Sequence, residues 1–177
     1  MIRCILGLDP GLRHTGWGLI QQQDNKLSFL AAGCINPDSD LPMAERLKAL
    51  AEGLSAIISL HQPDEAALEE TFVNRNAASA LKLGQARGAI MLTAAQAGLK
   101  VTEYSANKVK QSVTGYGHAD KSQIQTMMGI LLPGSGKLVA DAADALAVAV
   151  CHAHHAGSRH TIAKLEAMAA PKRRLKA

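Results

Sequence analysis

Four acids, Asp9, Glu69, Asp141 and Asp144, have the types and positions from which carboxylates can act together. Asp9 closes the apolar run ILGLD and precedes Pro10 and Gly11, a pair suited to a type II turn because proline fixes one φ and glycine tolerates the positive one. It therefore sits at a strand end. Ile2, Cys4, Leu6 and Leu8 form one face of that strand, which puts Asp9 on the other face with Ile5 and Gly7, where glycine permits close approach of a neighbouring backbone. Glu69 ends a second short apolar run. Asp141 and Asp144, three apart on a helix, project from one face that continues through Ala145 and Val148. Taken singly, each has an ordinary explanation: a turn aspartate, a strand-end glutamate beside Glu70, and helix N-terminal aspartates that favour the macrodipole. Together those explanations require three coincidences. Burying unpaired acids is costly, so the group is a candidate set of cation ligands.

The elements that must position these acids follow from periodicity. Residues 2–9, 14–21 and 27–35 read as three strands, with the polar run 21–26 supplying a hairpin turn. Met43, Leu47, Leu50, Leu54, Ile57 and Ile58 recur at helical spacing before Pro63. A strand over 66–69, a small-residue helix over 77–97 and a strand over 100–104 follow. Helices are expected at 106–113, 121–132 and 139–155. Three strands and then helix, strand, helix, strand, helix imply an α/β fold with a sheet of mixed direction.

Composition is that of one globular domain, with 47% hydrophobic residues and no apolar run near the roughly 20 residues of a membrane span. No export signal is legible, and a cytoplasmic location is expected. Cys4, Cys34 and Cys151 are odd in number and lack CxxC spacing, which fits reduced core residues rather than disulfides or a zinc knuckle. The net charge of +4 is uneven: residues 157–177 carry six Lys/Arg against Glu166, or +5, which leaves −1 for residues 1–156. Within the body, Arg75, Lys82, Arg87, Lys100, Lys108, Lys110 and Lys121 face only Glu103 and Asp120 over residues 75–121, a local +5. Such a zone beside an acidic cluster suits a phosphate backbone gripped next to a metal.

The segments LGLDPGLRHTGWG, ALEETF, NAASALKLGQARG, VKQSVTGYGHADKSQIQ and DAADALAVA resemble, in order and spacing, those of the RuvC crossover-junction endodeoxyribonucleases of the ribonuclease H-like superfamily. The resemblance implies a ribonuclease H-like mixed five-stranded sheet flanked by helices over residues 1–156, with 157–177 a basic, disordered tail. It makes Asp9, Glu69, Asp141 and Asp144 metal ligands and catalytic residues. It sets Lys110 and Lys121 beside the scissile phosphate, with Lys121 also catalytic, and makes Phe72 a DNA-contacting aromatic. Glu70 departs from the glutamine common in relatives. Four-way junction DNA is the implied substrate of a homodimer, in concert with branch-migration proteins of the RuvA and RuvB type. Oxygen-only ligands suit two Mg²⁺ ions, with Mn²⁺ as an alternative, and such a pair can activate water, stabilise charge on phosphate and assist the departing 3′ oxygen.

DNA contacts are expected from Phe72, Arg75, Lys82, Lys108, Lys110 and Lys121. Aromatics are 3% of the chain, too few for a single-strand stacking platform, so Phe72 acts as a wedge or else covers the strand end. Gly84 and Gly88 would allow a close helix contact, either between subunits or within one. GSGK at 134–137 lacks the glycine and hydroxyl positions of a phosphate loop, and Gly115-Tyr116-Gly117 lacks the third glycine of a dinucleotide motif. His152, His154 and His155 read as a solvated helix end, since His155 lies about 16 Å along a helix from Asp144. The competing functions are a ribonuclease H-like nuclease acting on RNA/DNA hybrid or RNA, and a junction-binding adaptor without turnover. Four acids argue against the adaptor; the VKQ and DKSQ segments argue against the hybrid nuclease.

Overall fold

Alternation along the first strand divides the molecule into two layers around one sheet. The structure, a computed structural model, describes residues 2–70 and 76–169, with side chains as far as residue 155. In chain order the elements are β1 (Ile2–Asp9), β2 (Thr15–Gln23), β3 (Lys26–Ile35), α1 (Met43–His61), β4 (Glu65–Glu70), α2 (Ala77–Gln96), β5 (Lys100–Ser105), α3 (Ala106–Thr114), α4 (Lys121–Leu131) and α5 (Ala140–Ala169). The sheet order is β3-β2-β1-β4-β5. The first three strands form an antiparallel meander, and β4 and β5 run parallel to β1. This is the mixed five-stranded sheet expected.

Leu6 and Leu8 face one layer, packing with Leu19, Ala66 and Leu68 against Leu50, Leu54 and Ile58 of α1 and Ala86, Ile90 and Ala94 of α2. Ile5, Ile20 and Ala67 face the other, beneath α3, α4 and the apolar stripe of α5. On that second face, cross-strand partners Gly7 and Gly18 lie side by side, and Asp9 lies opposite Gly16. These glycines admit α5 against the bare strands. A Cβ on Gly7 would lie 2.0 Å from the Ala145 carbonyl oxygen, and one on Gly16 would lie 2.0 Å from that of Asp141.

A second attachment fixes the direction of α5. On β4, Glu65, Ala67 and Glu69 share the face under the helix. Glu65 pairs with the buried His152, while Glu69 feels the charge of Asp144. Glu65 to Glu69 spans about 13 Å of strand, and Asp144 to His152 about 12 Å of helix, so the two elements run antiparallel with both ends matched. Arg3 extends the clasp, reaching Glu65 at 3.3 Å and Gln22 at 2.7 Å, and the Tyr104 hydroxyl lies 3.0 Å from His152 Nδ1.

Three expectations change. His152 is 2% exposed and belongs to this clasp rather than to a solvated helix end; its distance from the acids places it at the far end of the same sheet. The last helix does not stop at residue 155 but runs to Ala169, so the basic segment begins as helix rather than as irregular chain. Gly11 has no positive φ, so the turn after Asp9 is not type II. Its missing side chain serves contact instead: a Cβ would sit 2.2 Å from the His14 carbonyl oxygen. The buried Thr15 closes this turn, its hydroxyl 2.7 Å from the Gly11 oxygen and accepting the Gly11 N–H at 3.2 Å.

Candidate active site

Strand ends and one helix turn bring the acids together. Asp9 ends β1, Glu69 lies near the end of the neighbouring parallel strand, and α5 descends on Gly16 so that its first turn meets Asp9. Asp9, Asp141 and Asp144 each offer a carboxylate oxygen within 4.8 Å of the others. Asp9, Glu69 and Asp144 line a cleft of about 290 Å³ with Lys110 and Lys121, walled by Val109, Ile124 and Ala147. Glu70, on the opposite strand face, is exposed.

The electrostatics are those of crowded, half-buried charges. Burial, then the charges of Glu69, Asp144 and Asp141, push the Asp9 carboxyl up to about 8. Burial and Asp144 likewise raise Glu69, against the pull of Lys110 and Lys121. Lys121 lies 3.3 Å from Asp144, and that carboxylate raises its ammonium. The Lys121 side chain is 73% exposed, so it is free to follow a phosphate oxygen. It stands in the first turn of α4, where a cation opposes the helix dipole; the Asp120 and Gln123 capping box holds that turn nonetheless.

All the donors in the cluster are carboxylate oxygens. Hard oxygen ligands whose mutual repulsion is only partly offset by Lys110 and Lys121 fit a hard divalent cation, and the acids need no histidine or cysteine to complete such a set.

The remaining expected residues divide. Lys110 and Lys121 reach the cleft, but Lys108, about 200° around α3 from Lys110, turns away and lies over the Tyr104 ring at 5.4 Å. Lys82 is exposed on α2, outside the cleft. Arg87 is committed to an ion pair with Glu103 at 2.7 Å. Phe72 and Arg75 lie outside the described residues. Cys34, taken from the sequence as a core residue, stands on β3 opposite Gly16. Burial and the charge of Asp141 raise its thiol. Only the strand register could have revealed that neighbour.

Comparison with known proteins identifies the family. The family model described as crossover junction endodeoxyribonuclease RuvC matches residues 5–152. The crossover junction endodeoxyribonuclease RuvC of Paramagnetospirillum magneticum is 58% identical over 160 residues, covering 90% of this chain and 96% of that protein. The protein of the same name from Azorhizobium caulinodans is 59% identical over 157 residues, covering 89% and 92%. Among solved structures, T. thermophilus RuvC in complex with Holliday junction substrate superposes with a TM-score of 0.83 at 30% identity, covering 89% of this chain and 96% of that one.

Proposed function

The chain belongs to the RuvC family and is a crossover junction endodeoxyribonuclease, and from that premise we infer that it resolves four-way DNA junctions by paired phosphodiester hydrolysis at the cleft of Asp9, Glu69, Asp141 and Asp144. The observation that carries the residue assignment is that Asp9, Glu69 and Asp144 line one cleft with Lys110 and Lys121, while Asp141 joins Asp9 and Asp144 in one carboxylate cluster. The enzyme is metal-dependent, and we assign Mg²⁺, with Mn²⁺ able to replace it, to the four carboxylates. When bound, such ions supply an activated water and stabilise charge on phosphate and leaving group.

The chain's own groups prepare the rest. Asp9, Glu69, Asp141 and Asp144 present hard oxygens from three elements that are already packed, so little reorganisation precedes binding. Lys121 exchanges its carboxylate partner for a phosphate oxygen as the strand enters, and Lys110 steadies the same phosphate from α3. The apolar wall of Val109, Ile124 and Ala147 limits competing water. Cleavage on this geometry leaves 5′-phosphate and 3′-hydroxyl ends.

We further assign a homodimer built on α2. Its buried side is Ala86, Ile90, Thr93 and Ala94. On its outer side Gly84 and Gly88 have nothing within 4 Å of an added Cβ, and Leu81 and Leu92 are 66% and 58% exposed. Small residues flanked by bare leucines suit a second copy of this helix, and a twofold dimer would set two clefts on paired strands of a twofold junction. Beyond the cleft, the DNA contacts include Phe72, Arg75 and Lys82, the enzyme works in the cytoplasm, and the junction is delivered by branch-migration proteins of the RuvA and RuvB type.

The test is cleavage of labelled four-way junction, linear duplex and RNA/DNA hybrid, with Mg²⁺ and with chelator. Paired nicks in the junction alone, dependent on metal, are expected. Cutting of hybrid at a comparable rate would overturn the assignment of substrate.

A further inference from the structure

A second cleft lies on the other side of α4 from the acids, and an exposed aromatic ring stands at its edge. Tyr116 is 61% exposed, whereas Tyr104 is buried and Trp17 and Phe29 are partly buried. The ring belongs to the loop joining α3, which carries Lys110, to α4, which carries Lys121. Its backbone is firmly held. Gly115 caps α3 at a φ of 76°, and the Thr114 hydroxyl lies 2.9 Å from the Lys110 carbonyl and 2.8 Å from that of Tyr116 while accepting the Tyr116 N–H at 3.1 Å. One side chain thus ties the ring's position to that of a lysine in the acid cleft. His118 meets the ring in a T-shaped contact at 5.5 Å.

The space beside Tyr116, about 320 Å³, is lined by Ser122, Gln123, Thr126 and Met127, with Thr114 and Ala119. None of these is charged, so the cleft is built for an uncharged, flat, hydrogen-bonding group rather than for phosphate. Its donors and acceptors are set in advance. Ser122 gives its proton to Asp120 and Thr126 gives its own to the Ser122 carbonyl, which leaves both hydroxyl oxygens as acceptors. Gln123 uses Oε1 in the capping box and keeps its amide N–H groups as donors. Adjacent donors and acceptors under an aromatic face are what a base edge requires. Alternate sides of α4 face the two clefts: Lys121 and Ile124 the acids, Ser122, Gln123 and Thr126 this one. A helix is about 10 Å across.

We propose that this cleft is a nucleobase subsite, in which an unstacked base of the cleaved junction strand, next to the scissile phosphate held at Lys121, stacks on Tyr116 and meets Gln123, Ser122 and Thr126 with its edge. The subsite rests on the junction-resolving function and adds a contact that orients the strand at the nick.

The test compares wild type, Tyr116→Ala and Tyr116→Phe for binding to four-way junction in chelator. The junctions carry 2-aminopurine at successive positions on either side of the nick. Removing one base-stacking partner is expected to weaken junction binding about tenfold or more, while Tyr116→Phe, which keeps the ring, binds as wild type. One 2-aminopurine position should be quenched by wild type and by Tyr116→Phe and remain bright with Tyr116→Ala. Thermal melting should be unchanged in both variants because the ring is exposed. Equal affinity of Tyr116→Ala and wild type with no responding position overturns the subsite alone. A wild-type protein that shows no preference for junction over linear duplex overturns the function on which the subsite rests, and the subsite with it.

Discussion

Asp9 combines two penalties, burial and three neighbouring carboxylates, and both act on the folded, metal-free protein. Its carboxyl holds a proton up to about pH 8, against an ordinary value of 3.8. Between those values the folded state binds more protons than the unfolded chain, so this residue's contribution to stability falls as pH rises. Asp9→Asn has no such proton to lose. In EDTA its melting temperature is therefore expected to exceed that of wild type by a margin that grows from about pH 5 to 9, and Mg²⁺ should raise wild type more than the variant. The same variant should bind junction in chelator at least as tightly as wild type and cut at under about a tenth of its rate in excess Mg²⁺, because a neutral amide is a poorer ligand for a hard cation. Melting curves, binding titrations and single-turnover cleavage on one preparation decide it; near-normal cleavage would reduce Asp9 to a turn residue. The acids were legible in the sequence because strand ends and helix spacing place carboxylates without tertiary information. Lys108 and Lys110 were grouped by charge, although their spacing on a helix already puts them on opposite sides.

Among elements, α5 decides the site, since two acids ride on it and its docking depends on strands without side chains. Gly7→Ala would place a Cβ 2.0 Å from a backbone oxygen that cannot swing aside. The expected result is a loss of several degrees in melting temperature, from an overpacking cost of about 1–3 kcal/mol, together with reduced cleavage as Asp141 and Asp144 move away from Asp9. Gly129→Ala, on α4 at a position with nothing within 4 Å, should melt no lower than wild type. Equal melting of Gly7→Ala and wild type would show that the strand–helix contact can relax. The sequence signalled Gly7 as a point of close approach, since two-residue alternation put it on the same face as Asp9. It could not signal the partner: the match of β4 to α5, with Glu65 and His152 at one end and Glu69 and Asp144 at the other, depends on strand order, and so His152 was mistaken for a surface residue.

For the whole molecule, assembly and charge carry the expectations. Gly88→Leu should weaken the proposed dimer by overpacking α2 against its copy while leaving the monomer folded; sedimentation showing an unchanged dimer would move the interface elsewhere. Truncation after Ala156 removes a net +5 of the sequence and should flatten the dependence of DNA affinity on salt, with the preference for junction over duplex retained. Measured salt slopes for the two lengths on junction and duplex test this, and a lost preference would make the segment part of junction recognition. The architecture was readable because strands and amphipathic helices alternate in a recognisable order, whereas a dimer contact leaves only bare leucines and glycines as its trace. The double attachment of α5 also bears on how the chain tolerates changes of length. Asp9, Glu69, Asp141 and Asp144 are joined through one strand pair and one helix contact, and none of the connections between elements sets their spacing. Insertions in the links before α1, after α1 or before α5 should leave the cleft intact. A single residue added inside α5 between Asp144 and His152 would turn one anchor by about 100° relative to the other, so the helix could keep its acids or its histidine in place, not both.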